Sequence, residues 1–550
     1  MTSLHLQKPI INSPMKNLVF ALAATLFLNS AALAQAELLT AAESSNYTLT
    51  STHQQVLDFV NKLDKESPYL RIETIGKTTE GKPIPMLILA NPMIDSPEQL
   101  KEDKRLVVYF QANIHSGEVE GKEATQALAR ELIKNPKNPI FKHLILLIVP
   151  DLNADGNDKM SDQNRTNQNG PKAVGIRYNG QLLDINRDAM KLETPEMQAV
   201  VSNIYNRYDP AIVVDMHTTN GSYHVEPITF TWQMNPNGDR SLIHYMRDKM
   251  MPWVSETLLH KYKTLNCYFG EFIDRGDRSK GWFSYASEPR YMTNYVGLRN
   301  RLSILNENYV YADYETRVNS SYKLLLTIMD FAMANKKEIK NLLEEADRKS
   351  LLKGVDAASA DSFAVKYEGR PTPNPETIMT YEVEVIKNDN GRTQYKKTDR
   401  RADVTVPYIA DYYPTEQVIY PYAYLLSVPD QKVLDVLRLH GIELKQLKQE
   451  LKLDVSQYNI TKLTPAGRLN QGHYLNQIEG NFTSENKTFK AGTYYVLSSQ
   501  KLAGLIAYLL EPEMDDNLLT WNFFDRYLVP QWGNYYFPYP VYRLEKPVAL

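Results

Sequence analysis

Unbroken apolar runs recur through the first two thirds of the chain, each closed by polar residues. "LVVYFQANI", "HLILLIVPDLN", "AIVVDMHTT" and "RLSILNEN" are the clearest. A run with no polar alternation fits a strand covered on both faces, as in a parallel or mixed sheet flanked by helices. Between these runs the spacing turns helical, in "EVEGKEATQALARELIK", "TPEMQAVVSNIYNRY" and "SLIHYMRDKMMPWVSETLLHKY". The second opens on Thr194, Pro195 and Glu196, a good helix start because proline's missing N–H would have no intrahelical partner there. A long helical pattern from about 316 to 352 closes the region. The alternation from about 54 to 352 predicts an α/β fold with a largely parallel or mixed sheet. Past "KGVDAASADS" the texture changes. "TIMTYEVEVIK", "ADVTVPYIADYY", "YAYLLSV" and "AGTYYVLSS" are β-branched and tyrosine-rich strand patterns. One helix, "QKVLDVLRLHG", ends on Gly441 as a C-terminal cap. No internal repeat is visible.

At 550 residues the chain exceeds what one core usually serves. A net charge of −3 gives no electrostatic reason to expect nucleic acid or an anionic membrane as partner. The single cysteine, Cys267, rules out an intramolecular disulfide and a cysteine-rich zinc site. "MKNLVFALAATLFLNSAALAQAE" pairs Lys16 with an apolar stretch from Leu18 to Leu28 and the small-residue pattern Ala32-Leu33-Ala34. That is a secretory leader, with cleavage expected after Ala34. The mature chain is then expected in a secreted or periplasmic location, without stable membrane insertion.

The apolar runs end on groups that carry chemistry. The first ends at His115, and Glu118 follows as the chain passes into a helix. A second ends at His217. In an open α/β sheet, strand ends meet ligands in one crevice. Imidazole and carboxylate are natural zinc ligands, and a catalytic site needs three of them with an open position for water. His224 and Asp215 are nearby alternatives; His217 is preferred because it stands at the strand end. A further run ends at Glu307, suited to take a proton from water activated by the metal. Between these lies a long Asn-, Gly- and Asp-rich loop, from Asp151 to Glu196, of a length usually reserved for function. It offers Arg165, Arg177 and the Asn186-Arg187 pair, a set suited to gripping a carboxylate.

The order H-x-x-E, N-x-D-G, D-x-N-R, strand-end histidine and strand-end glutamate resembles the zinc carboxypeptidases of the carboxypeptidase A type, over roughly 54 to 352. "IHSGEVEGKEA", "GQLLDINRD" and "DMHTTNGS" look most like a bacterial, secreted branch with an extra C-terminal region. The resemblance implies a mixed-sheet α/β/α catalytic domain at 35–352 after a leader at 1–34. A linker at 353–362 and a β-rich domain at 363–550 would follow. It implies one Zn2+ per chain held by His115, Glu118 and His217, with Glu307 as catalytic base. Asn186 and Arg187 would hold the substrate's terminal carboxylate, and Asp184 would bond a ligand histidine. The family's oxyanion-stabilising arginine falls nearest Arg165, which comes three residues early, with Gln168 at the counted position and Arg177 as the alternative. Its mobile tyrosine matches Tyr295 or Tyr291, with Tyr295 favoured. The implied substrate is a peptide, or another amide such as an acylated amino acid or cell-wall peptide, bearing a free carboxylate. A non-catalytic extracytoplasmic binding protein is the alternative of another class.

Overall fold

The computed structural model describes residues 38–219, 221–355, 361–387, 390 and 393–550. The leader and its Ala34 cleavage site lie outside the described residues. The main sheet is built from β1 (Leu70–Lys77), β2 (Pro83–Leu89), β3 (Leu106–Ala112), β4 (Leu144–Val149), β5 (Ile212–Thr218), β6 (Ile228–Trp232), β7 (Asn266–Tyr268) and, past two short strands, β10 (Leu302–Asn308). Those short strands are β8 (Glu271–Phe272) and β9 (Trp282–Phe283). The order in the main sheet is β1-β2-β4-β3-β5-β10-β6-β7. β4, β3, β5 and β10 run parallel through its centre, while β2 and β6 flank them antiparallel. The sheet is therefore mixed. Successive side chains of a strand face opposite sides, and every residue of β3, β4 and β5 is buried. Both faces are thus covered, as the unbroken apolar runs predict.

Helices Glu120–Lys134 and Tyr314–Ala334 pack on each other and on the central strands, and helix Met292–Leu298 packs on β5 and β10. The helical pattern expected as one piece from 316 to 352 is two helices, Tyr314–Ala334 and Lys336–Ser350, broken at Asn335. Two other predicted helices each contain a π-helical segment, Val201–Tyr205 and Met246–Met250.

The expected boundary at 353–362, of which 356–360 lie outside the described residues, does not divide the structure. Residues 40–550 form one compact unit. Beyond 362 the chain is rich in β-strands as predicted, but it does not stand apart. Strand Tyr408–Ile419 pairs with β9, placing Tyr408 beside Trp282 and Ile409 beside Phe283 in a sheet that also holds β8 and Ser362–Pro371. One hydrophobic core runs through both parts, joining Tyr295 and Leu298 to Val433, Leu437, Ile506 and Leu510. The physical reason is that β8 and β9 are too short to be stable alone and complete their sheet with strands from the C-terminal region.

Candidate active site

The central parallel strands set the site. In the β5–β10 register Glu307 lies directly beside His217, and Leu305 beside Asp215. Alternation puts all four side chains on the same face at the strands' carboxyl ends. β3 delivers the third group by a turn. Asn113 adopts a left-handed backbone (φ 62°), and the Glu118 N–H donates to the His115 carbonyl at 2.9 Å before the helix begins. A Cβ on Gly117 in that turn would stand 2.5 Å from Cδ of Arg165, so any larger residue there requires the Arg165 side chain to shift.

His115, Glu118 and His217 converge, with one ligand atom of each within 4.8 Å of the others, all buried. Oε2 of Glu118 lies 3.1 Å from Nδ1 of His115 and 3.0 Å from Nδ1 of His217, and it accepts the Thr218 N–H. The two Nδ1 atoms are 3.2 Å apart. Each ring's outer nitrogen meets a carboxylate: Nε2 of His115 lies 3.0 Å from Asp184, and Nε2 of His217 lies 2.8 Å from Asp215. A carboxylate on Nε2 makes that nitrogen the donor and turns the Nδ1 lone pair inward, the arrangement of metal-ligating histidines. Burial works against charge on His217, but Asp215 and Glu118 outweigh it and hold its pKa well above the usual imidazole range. Glu118 is likewise held well below the usual carboxylate range: His115 and Arg165 overcome its burial. The pocket favours a positive charge between these three atoms, and two imidazoles with a carboxylate are a donor set that suits zinc.

The cleft over this cluster encloses about 180 Å³ and is lined by Arg177, Asn186, Arg187, Tyr291 and Glu307, among others. Burial, reinforced by the neighbouring Glu118 charge, pushes the Glu307 carboxyl up to about 8 against the pull of His217 and two arginines. Its Oε2 is enclosed and makes no protein hydrogen bond. The side-chain Oδ1 of Asn186 accepts the Met292 N–H at 2.9 Å, and its Nδ2 stands 3.5 Å from Nε2 of His217. Arg187 lies over the Tyr291 ring, 4.3 Å from its centroid.

Two expected placements are corrected. Arg165 does not line the cleft. Its Nη1 donates to Glu118 Oε1 at 2.9 Å, its Nη2 to the carbonyls of Thr218 and Thr219, and its Nε to Gln168 at 2.8 Å. It braces Glu118, while Arg177, tied through Nε to Asp184 at 2.8 Å, lines the cleft together with Arg187. Tyr295 is fully buried, its hydroxyl 2.8 Å from Nδ1 of His440. Of the two candidates the one that lines the cleft is Tyr291, which precedes the helix Met292–Leu298 in extended conformation (φ −81°, ψ 131°). Of the alternative ligands, Asp215 orients His217 instead, and His224 sits against Glu226 and the Tyr309 ring. Asp215 as an orienting group has a signal in sequence, because its place two residues before His217 on a strand predicts a shared face. The cleft also has walls from Phe269, Glu271, Tyr285 and Thr293, and Gln471 joins the site through its Oε1, which accepts the Asp184 N–H at 2.7 Å; none of these five was expected from sequence. No local pattern marks these; long-range folding brings them in.

Residues 56–226 match the family model described as zinc carboxypeptidase. Carboxypeptidase 2 of Trichophyton equinum is 21% identical over 526 residues, covering 91% of this chain and 88% of that protein, so the likeness extends into the C-terminal region. Carboxypeptidase D of Rattus norvegicus is 28% identical over 166 residues, 29% of this chain and 11% of that one. A solved metallo-carboxypeptidase from Burkholderia cenocepacia aligns over 51% of this chain and 69% of its own at 15% identity, with a TM-score of 0.38. A match that covers most of this chain is thus fungal, where the motifs resemble a bacterial branch. The chain is a metallopeptidase enzyme, similar over 56–226 to the zinc carboxypeptidases.

Proposed function

We propose that this enzyme is a zinc-dependent carboxypeptidase acting outside the cytoplasm on peptides with a free C-terminal carboxylate. The observation that carries the reading is the buried convergence of His115, Glu118 and His217, with Glu307 beside it at the same sheet edge. These three residues would hold the ion. Held there, zinc would supply Lewis acidity toward the scissile carbonyl and toward water. Glu307, its Oε2 free of protein partners, would be ionised by the added charge of the bound cation, take the proton of the attacking water and return it to the leaving amine. Arg177 takes the oxyanion-facing role, since Arg165 is committed to Glu118. Asn186 and Arg187, on the same wall of the cleft, receive the substrate's terminal carboxylate, with Tyr291 beneath Arg187. The leader pattern supports secretion, and among the described residues no helix is long and apolar enough to cross a membrane.

The test is product analysis of peptides offered in free and amidated forms, cell-wall stem peptides included, with Glu307→Gln as control. Loss of single terminal residues from free-ended peptides only, with kcat falling roughly 10²–10⁴-fold in the variant while zinc stays bound, is the expected result. Cleavage of amidated peptides would remove the carboxylate-binding role from Asn186 and Arg187. Equal turnover by Glu307→Gln would remove Glu307 from catalysis.

A further inference from the structure

A long antiparallel hairpin, Leu451–Pro465 with Asn476–Phe489, projects from the C-terminal region, and its tip ends on the active-site wall. Past the paired strands the ladder continues: Ala466 N–H donates to the Leu475 carbonyl at 2.8 Å, and Asn470 and His473 exchange backbone bonds of 2.8 and 2.9 Å. Between them Gln471 (φ 52°) and Gly472 (φ 82°) both take left-handed backbones. Two left-handed central residues make the tight turn whose twist suits a hairpin. Glycine enters that region freely, but an unbranched side chain such as glutamine is uncommon there. The Gln471 side chain at this position is the one whose Oε1 accepts the Asp184 N–H at 2.7 Å. Next along the turn, Nε2 of His473 lies 2.9 Å from Glu193, its Nδ1 lies 3.1 Å from Asn522, and its ring stands edge-on to Trp521. The tip therefore grips the segment 184–193 at both ends. That segment holds the carboxylate on His115, the Asn186 amide and the Arg187 guanidinium over Tyr291.

We propose that the hairpin tip Asn470–His473 braces the 184–193 segment against the histidine cluster, with Gln471 as a positioning residue that acts through Asp184 on His115. The idea rests on the metallopeptidase reading of the cleft. It makes the C-terminal region a working part of the active site rather than a separate binding module. Outer groups that orient metal ligands commonly carry 10–100-fold of metal affinity; Gln471 is one contact further out, so the expected effect is about tenfold.

Gln471→Gly separates bracing from folding, because glycine relieves the left-handed turn while deleting the acceptor. In the full-length chain, zinc affinity is measured by chelator competition, KM and kcat on a free-ended peptide, Tm, and hydrogen exchange over 182–188. The expected result for Gln471→Gly is an unchanged or raised Tm, zinc affinity down about tenfold, a raised KM and lost protection of the Asp184 N–H. Gln471→Glu keeps an acceptor oxygen and should recover most of both affinities. Wild-type zinc affinity and KM in Gln471→Gly would overturn the proposal, as would equal impairment of the two variants. If the unaltered chain binds no zinc, the metal reading falls; exchange at Asp184 then still decides, and unaltered protection in Gln471→Gly overturns the brace.

Discussion

Asp184 and Asp215 perform one task on the two sides of the histidine pair, but by different routes. Asp215 reaches His217 from two residues away on the same strand and is itself held by the Gln111 amide at 2.9 Å. Asp184 comes from a loop 69 residues beyond His115 and also accepts from Arg177. Without a carboxylate on Nε2, the inward lone pair of the imidazole is neither fixed nor enriched. Asp215→Asn should therefore lower zinc affinity 10–100-fold with little change in Tm. Chelator competition followed by thermal melting checks this, and unchanged affinity would mean that the sheet alone orients His217. The strand-end groups were readable from sequence because a parallel strand's carboxyl end has one destination. Arg165 and Arg177 could not be sorted so. Both sit in one long loop, and which of them turns to the cleft depends on the close approach of Arg165 to Gly117, which spacing does not encode.

At the scale of elements, the unbroken apolar runs gave strands β3, β4, β5 and β10 because burial on both faces leaves a direct trace in sequence. The tyrosine assignment failed for an equally local reason. Tyr291 and Tyr295 are four apart and would share a face if both were helical, but the helix begins at Met292 and leaves Tyr291 outside it. Tyr295 instead joins helix Gln431–Leu439 to the sheet. That helix ends at buried His440, whose Nδ1 meets the Tyr295 hydroxyl and whose Nε2 lies 3.0 Å from the Met190 carbonyl. The carbonyl demands a proton on Nε2, so the phenol donates to Nδ1 and the ring stays neutral. Burial, with Arg299 adding to it, pulls the His440 pKa down to about 3 from 6.5, against the Met190 bond. The folded value is the lower one, so its contribution is complete above pH 6.5 and is lost as pH falls toward 3, by about 1.4 kcal/mol per pH unit within that window. Glutamine keeps a donor and an acceptor but does not titrate. His440→Gln should lower the urea midpoint near pH 8 and lose stability less steeply between pH 6.5 and 4. Parallel pH profiles of variant and wild type would show that His440 does not govern this slope.

For the whole molecule, a change in residue texture near 353–362 is visible in sequence without being a division in the fold. Composition reports what each segment is made of; it does not report which segments share a core. Tyr408 reaches under the cleft's strands, its hydroxyl meeting the Phe269 carbonyl at 2.9 Å, and the Tyr412 hydroxyl donates to the Tyr285 carbonyl at 3.0 Å. Arg290 gives its backbone N–H to buried Asp516 at 2.5 Å. Phe269 and Tyr285 are walls of the cleft, so the C-terminal region holds two of those walls and, through the hairpin tip, the Asp184 backbone as well. A chain ending at 362 would uncover Tyr295, Val296 and Leu298 and leave β8 and β9 as an isolated pair of two-residue strands. Exposed core of that size favours association over folding, and a two-stranded ribbon is marginal in water. Such a truncation should be recovered only as aggregate, or as a form that melts without a cooperative transition and holds no zinc tightly. Size-exclusion chromatography, calorimetry and chelator competition on the purified fragment decide the matter. A soluble monomer with one sharp transition and full zinc affinity would restore the boundary suggested by composition and reduce the C-terminal region to an accessory.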